Sequence, residues 1–168
     1  MIIRVRQETP DDIEAIDEVT VSAFLTAPHA DYTEQFVVRA LRDSGALTIS
    51  LVAEDSDGIV GHVALSPVTI SDNSSNWYGL GPISVLPNEQ GKGIGSLLMR
   101  EAITQLNKSN ANGCVLLGDP NYYHRFGFKP IEGLVLPDVP AEYFQALLLK
   151  ADFPQGTVTY HKGFSAQD

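Results

Sequence analysis

The chain has 168 residues, 43% of them hydrophobic, enough to bury a core without disulfides or metals, and a formal net charge of −10. That charge argues against a nucleic-acid partner, which needs clustered lysine and arginine, and no stretch approaches the ~20 apolar residues of a membrane span. The single Cys114 has no partner for a disulfide or a zinc site, and no apolar run of secretory length follows the amino terminus, so the expectation is one domain over residues 1–168 in a reducing cytoplasm.

Ile2 to Val5 predicts a first strand. Thr9-Pro10-Asp11-Asp12 opens a helix, with threonine at the N-cap, proline at the first helical position and acids in the first turn. Ile13, Ile16, Val19 and Val21 to Phe24 continue it. A loop from Leu25 to Tyr32 leads to a second helix, capped by Thr33, buried through Phe36, Val37, Ala40 and Leu41, and stopped at Ser44-Gly45. Thr48 to Glu54 and Ile59 to Ile70 read as strands joined by Asp55-Ser56-Asp57-Gly58, where aspartate and glycine tolerate positive φ. After a polar turn from Asp72 to Asn76 comes a fourth strand, whose β-favouring run Leu80 to Leu86 ends at Pro87.

The next segment, Gln90-Gly91-Lys92-Gly93-Ile94-Gly95-Ser96, sets three alternating glycines before a helix whose apolar face is Ile94, Leu97, Leu98, Ala102, Ile103 and Leu106. The glycines therefore stand at a helix amino terminus, where unpaired N–H groups and the helix dipole can hold a phosphate. A Walker loop is excluded because Lys92 is followed by Gly93 rather than Ser or Thr. A dinucleotide fingerprint is excluded because Ser96 or Leu98 stands where its third glycine or alanine belongs. The pattern that fits is Gln-x-x-Gly-x-Gly, filled by Gln90, Gly93 and Gly95.

A fifth strand from Cys114 to Leu117 is followed by Gly118-Asp119-Pro120-Asn121-Tyr122-Tyr123, on a short predicted helix, and then by Gly127-Phe128. Tyr143 to Lys150 fits either a strand or a helix. Strand is favoured because Thr157 to His161, beyond the Pro154-Gln155-Gly156 turn, needs an antiparallel partner. No repeat, low-complexity segment or linker interrupts the chain.

With Gln-x-x-Gly-x-Gly after the fourth strand, and Tyr123 four residues before Gly127-Phe128 after the fifth, the chain resembles the GNAT family of N-acetyltransferases. The Leu80-Gly81-Pro82 and Leu117-Gly118-Asp119-Pro120 segments and the Val158-x-Tyr160 ending are similar to its YhbS-like branch. The resemblance implies an α/β (α+β) fold, with a mixed, mostly antiparallel sheet of six to seven strands flanked by about four helices. In that fold the fourth and fifth strands run parallel and splay apart, and Gly81-Pro82 disturbs the ladder as a bulge would. It implies acetyl-CoA as co-substrate, with no metal, held by Ile83, Ser84 and Val85 on the fourth strand, by Gln90, Gly91, Lys92, Gly93, Ile94, Gly95 and Ser96 in the cradle, and by Asn121 and Tyr122 beyond the fifth strand. Lys92 and Lys108 are the cations expected to favour the polyanionic ligand.

The implied reaction is direct attack by an amine, of a small molecule or of a protein, on the thioester. A backbone N–H near Val85 is the implied oxyanion donor and Tyr123 the acid for the departing thiolate, since a phenol with a pKa near 10 stays protonated at neutral pH. Many relatives carry a glutamate base on the fourth strand, but Tyr78-Gly79-Leu80-Gly81 contains no carboxylate. Asp119, His29, Asp31, Glu34, His62 or a water chain are the candidates left. Small amines, protein N-termini and lysine side chains are all acceptors compatible with the sequence, and a homodimer is compatible with the family. The alternatives are an acyl-CoA-binding sensor that has lost turnover and, more remotely, a nucleotide-binding protein.

Overall fold

The computed structural model describes residues 2–27 and 30–168. The chain runs β1 (Arg4–Gln7), α1 (Ile13–Leu25), α2 (Glu34–Asp43), β2 (Ile49–Asp55), β3 (Gly58–Ile70), β4 (Trp77–Val85), α3 (Ile94–Lys108), β5 (Gly113–Leu117), α4 (Pro120–Tyr123), β6 (Leu134–Val135), β7 (Phe144–Leu148) and β8 (Gly156–Tyr160). The strands lie in the order β1-β2-β3-β4-β5-β7, antiparallel throughout except for β4 against β5. At the far end of β3, Val68–Ile70 pairs antiparallel with β8, which pairs parallel with β6. The expected mixed, mostly antiparallel sheet with four helices is present, with eight strands because the two-residue β6 is added beside β8.

Register divides the core. Leu51, Val63 and Ile83 face α3, whose Leu98, Met99, Ala102 and Leu106 are buried on them. Val52, His62 and Ser84 are cross-strand neighbours on the other face, where Ile16 of α1 and Val38 of α2 pack on Val52. The entry to α1 is fixed by charge: Thr9 N–H donates to Asp12 Oδ2 at 2.7 Å, and Arg6 Nη1 reaches the same oxygen at 2.7 Å. The hydrogen-bonded Arg6 guanidinium holds the Asp12 carboxyl down to about 2.

Two sequence expectations shift. The first strand starts at Arg4 rather than Ile2, while the fourth starts at Trp77, directly after the expected polar turn. Tyr143 to Lys150 does contain a strand, Phe144–Leu148, but its ladder partner is β5, while β8 pairs with β3 instead. Phe144, Gln145 and Ala146 are all buried, so both faces of β7 look interior and no two-residue alternation marks them.

β4 and β5 are paired only through Trp77↔Gly113, Tyr78↔Cys114 and Gly79↔Val115. Beyond Gly79 the two strands part, and Ala64 of β3 faces both Gly81 and Pro82, the expected bulge, because pairing steps from Leu65↔Leu80 to Val63↔Ile83. The ring of Tyr160 lies against Gly79, so close that an alanine Cβ there would fall 2.3 Å from Tyr160 Cε1. Gly79→Ala is therefore expected to cost about 1–3 kcal/mol of stability, seen as a lower urea midpoint at unchanged m-value.

Candidate active site

The bend between β4 and α3 depends on two glycines. Gly91 and Gly93 have left-handed backbone, φ 78° and 86°, which a side chain would strain, and Gly93 is the N-cap of α3. The first-turn N–H groups that follow, on Ile94, Gly95 and Ser96, have no acceptors within the helix. Gln90 secures the bend, its Nε2 donating to the Val85 carbonyl at 3.0 Å.

These groups open onto a cavity of about 430 Å³ that lies in the fork between β4 and β5. Ile83, Val85, Gln90, Gly91, Gly93, Ile94, Gly95, Ser96 and Tyr122 line it, together with Tyr123. Ser84, Lys92 and Asn121 do not. The Ser84 side chain is on the α1 face of the sheet, Lys92 is ion-paired to Glu89 at 3.1 Å, and exposed Asn121 donates its N–H to Asp119 Oδ1 at 2.9 Å. That bond makes Asp119 the N-cap of α4, outside the cavity. Lys108 ends α3, about 20 Å from its first turn at ~1.5 Å per residue.

The cation at the cavity is one that sequence reasoning missed. Arg125 lines it, anchored by Nε donating to the Tyr122 carbonyl at 2.8 Å and by its guanidinium 4.5 Å from the Tyr122 ring centre. The signal was the three-residue spacing from Tyr122 on a helical turn, which puts both on one side. Glu89, also at the cavity, is partly neutralised by Lys92.

Tyr123 stands half-buried between Tyr122 and Phe128, edge-on to both, with ring centres 4.9 and 6.4 Å away. Its ring covers Gly118, where a Cβ would fall 2.4 Å from Tyr123 Cε2. The buried Gln145 of β7 holds this turn, its Nε2 donating to the Gly118 carbonyl at 3.0 Å. Burial, with smaller contributions from Tyr122 and Asp119, pushes the Tyr123 phenol up to about 12. At neutral pH it is a proton donor.

Residues 47–130 match the family model of the acetyltransferase (GNAT) domain. The chain is 38% identical over 130 residues to the N-acetyltransferase YhbS of Escherichia coli K12, itself uncharacterized, covering 77% of this chain and 74% of that one. This chain belongs to the GNAT acetyltransferases. Its fold matches the crystal structure of a GNAT acetyltransferase from Brucella melitensis in complex with acetyl-CoA, with TM-score 0.86 and 47% identity over 97% of this chain and 98% of that chain. It also matches Escherichia coli YhbS in complex with CoA, with TM-score 0.88 and 32% identity over 97% and 92% of the two chains.

As a GNAT acetyltransferase of the YhbS-like branch, the chain is an acyl-transferring enzyme whose candidate bases are widely scattered. His29 lies outside the described residues. Asp31 N–H donates to Glu34 Oε2 at 3.1 Å at the start of α2. His62 is fully buried on β3, its Nε2 2.7 Å from Ser50 Oγ, and Ser50 in turn bonds Glu8, which is paired with Arg42 at 2.8 Å. Burial, opposed by Glu8 and assisted by Arg42, lowers the His62 imidazole to about 4 from 6.5.

The unfolded chain therefore takes up a proton near pH 6.5 that the folded enzyme refuses until about pH 4. Stability is full above that window and falls as pH drops through it, by up to about 3 kcal/mol at ~1.4 kcal/mol per pH unit. Denaturation midpoints are expected to decline from pH 6.5 to 4 in the wild type and to flatten in His62→Gln; an equal slope in both would place the acid sensitivity elsewhere.

Proposed function

We infer that this chain, as one domain over residues 1–168, transfers the acetyl group of acetyl-CoA to a primary amine by direct attack. The observation that carries this reading is the fork. A cavity there runs from a helix amino terminus built for phosphate, along an unpaired strand edge, to a buried phenol.

The residues present fit the cofactor in three chemically distinct parts. The pyrophosphate suits the N–H groups after Gly93 and the Arg125 guanidinium, which together offset an acidic surface locally. The pantetheine amides suit the edge of β4 beyond Gly79, which has no partner in β5 and accepts an extended chain as an added strand. The thioester then lies near Tyr123, whose raised pKa keeps its proton available for the departing sulfur. A backbone N–H near Val85 is the donor for the developing oxyanion in this reading. The acceptor is a small-molecule or protein amine.

The test is thiol release from acetyl-CoA across a panel of small amines, lysine peptides and peptide N-termini. Tyr123→Phe is expected to bind acetyl-CoA as the wild type does and to turn over about tenfold to a thousandfold more slowly; unchanged turnover would reduce Tyr123 to packing. A wild type that binds acetyl-CoA but acetylates nothing in the panel would favour the sensor reading, which the absence of a carboxylate from Tyr78-Gly79-Leu80-Gly81 permits. In calorimetry, Arg125→Gln is expected to weaken acetyl-CoA binding about three- to tenfold, with most of the difference lost at high salt, as befits a charge-assisted phosphate contact.

A further inference from the structure

Coenzyme A carries three phosphoryl groups, and the α3 amino terminus with Arg125 accounts for the two of the pyrophosphate. The third is a monoester on the ribose 3′ oxygen, and with a charge of about −1.5 to −2 at pH 7 it is the most strongly charged group of the ligand. The chain has 21 acidic residues against 11 lysines and arginines, so its surface as a whole repels that group and only a local cation can hold it.

Arg100 is such a cation. It is exposed on α3, and among the described residues its guanidinium is paired with no carboxylate, unlike those of Arg6, Arg39 and Arg42. A ring holds it instead: Arg100 Cζ lies 5.3 Å from the ring centre of Phe126. Phe126 is buried and stands edge-on to Tyr122 with ring centres 5.6 Å apart, and Tyr122 in turn carries Arg125. Two guanidiniums are thus seated on two neighbouring rings. A ring occupies one face of a guanidinium and leaves the N–H donors in its plane free, so Arg100 keeps its donors for an anion.

Position decides which phosphate it meets. Arg100 follows Ser96, which lines the fork cavity, by four residues, so the two are neighbours on one ridge of α3. Its Cα stands about 9 Å along the axis from Ile94 by the helical rise, and helical side chains lean back over the turn that precedes them. Arg125 lines the cavity and Arg100 does not. Arg100 is outside the mouth on the Tyr122–Phe126 side, where the adenosine of a ligand with its pyrophosphate on the first turn of α3 leaves the cavity.

We propose that Arg100, seated on Phe126, binds the 3′-phosphate of coenzyme A and makes the enzyme select a 3′-phosphorylated donor. This rests on the acetyl-CoA reading of the fork and not on the identity of the acceptor. A thioester of dephospho-CoA, or one that ends at phosphopantetheine on a carrier protein, leaves the Arg100 donors unused and binds more weakly. Arg125 and the α3 amino terminus serve every donor with a phosphate next to the pantetheine, whereas Arg100 reads only the nucleotide end.

Calorimetry with CoA and with dephospho-CoA tests this without an acceptor. The wild type is expected to bind CoA about tenfold more tightly than dephospho-CoA, the size of a charge-assisted phosphate contact. Arg100→Gln is expected to lose that factor for CoA and to bind dephospho-CoA within twofold of the wild type. Arg125→Gln is expected to weaken both ligands alike and to keep their ratio. Arg100→Met, which keeps an apolar stem on Phe126 without the charge, gives the same reading if Arg100→Gln does not fold. Equal wild-type affinity for the two ligands overturns the proposal, and so does an Arg100 variant that weakens both alike, since that would make Arg100 a source of general field. A wild type that binds neither ligand overturns the acetyl-CoA reading and this proposal with it.

Discussion

Parallel pairing between β4 and β5 lasts for three residue pairs and then stops at Gly79 and Val115. Each strand stays anchored on its other side, β4 to β3 and β5 to β7, so the two diverge without either losing its place in the sheet. The divergence leaves the β4 edge with unsatisfied backbone groups, which an amide chain can pair with but a purely apolar ligand cannot. Every other part of the site is placed relative to this opening. The bend after β4 sets the α3 amino terminus at one end, and the turn after β5 sets Tyr123 against the other wall. Gly118, Gln145 and Phe128 hold that turn from behind.

Much of this was legible in the chain because local chemistry specifies it. Gly91 and Gly93 could be read as a bend because their backbone lies where other residues are strained, and Thr9 to Asp12 as a helix start because the side chains supply their own hydrogen bonds. What escaped was long-range. That β8 lies along β3, and not along β7, depends on residues far apart in sequence, and neither strand carries a pattern naming its partner. Arg125 was missed because its role comes from the stacking on Tyr122 and the placement of α4. Asp119 looked available only because the N–H it caps cannot be seen in a list of residue types. Glu8, Arg42, Ser50 and His62 are ordinary residues individually, and only the register of β1, β2 and β3, with the docking of α2, brings them into one buried chain.

The net charge of −10 poses an electrostatic problem for an anionic ligand, and the fold answers it locally. Backbone dipoles at α3 cost no additional side chains, Arg125 is left unpaired with any carboxylate among the described residues, and Glu89 is partly neutralised by Lys92. On the other face of the sheet Glu8 is held ionised by Arg42 and is joined through Ser50 to the buried His62.

The Tyr160 ring that packs on Gly79 comes from β8, although Gly79 itself stands near the middle of the sequence. During synthesis from the amino terminus, β3 and β4 emerge and can pair before Tyr160 is available, so Gly79 stays uncovered until β8 arrives. The contact joins sequence-distant strands and carries a loop-closure cost that local helices do not, which makes it a late event in folding. Packing at the closed end of the β4–β5 pair is thereby tied to the arrival of β8, and a nascent chain arrested before it would hold the glycine bend of α3 with Gly79 still bare.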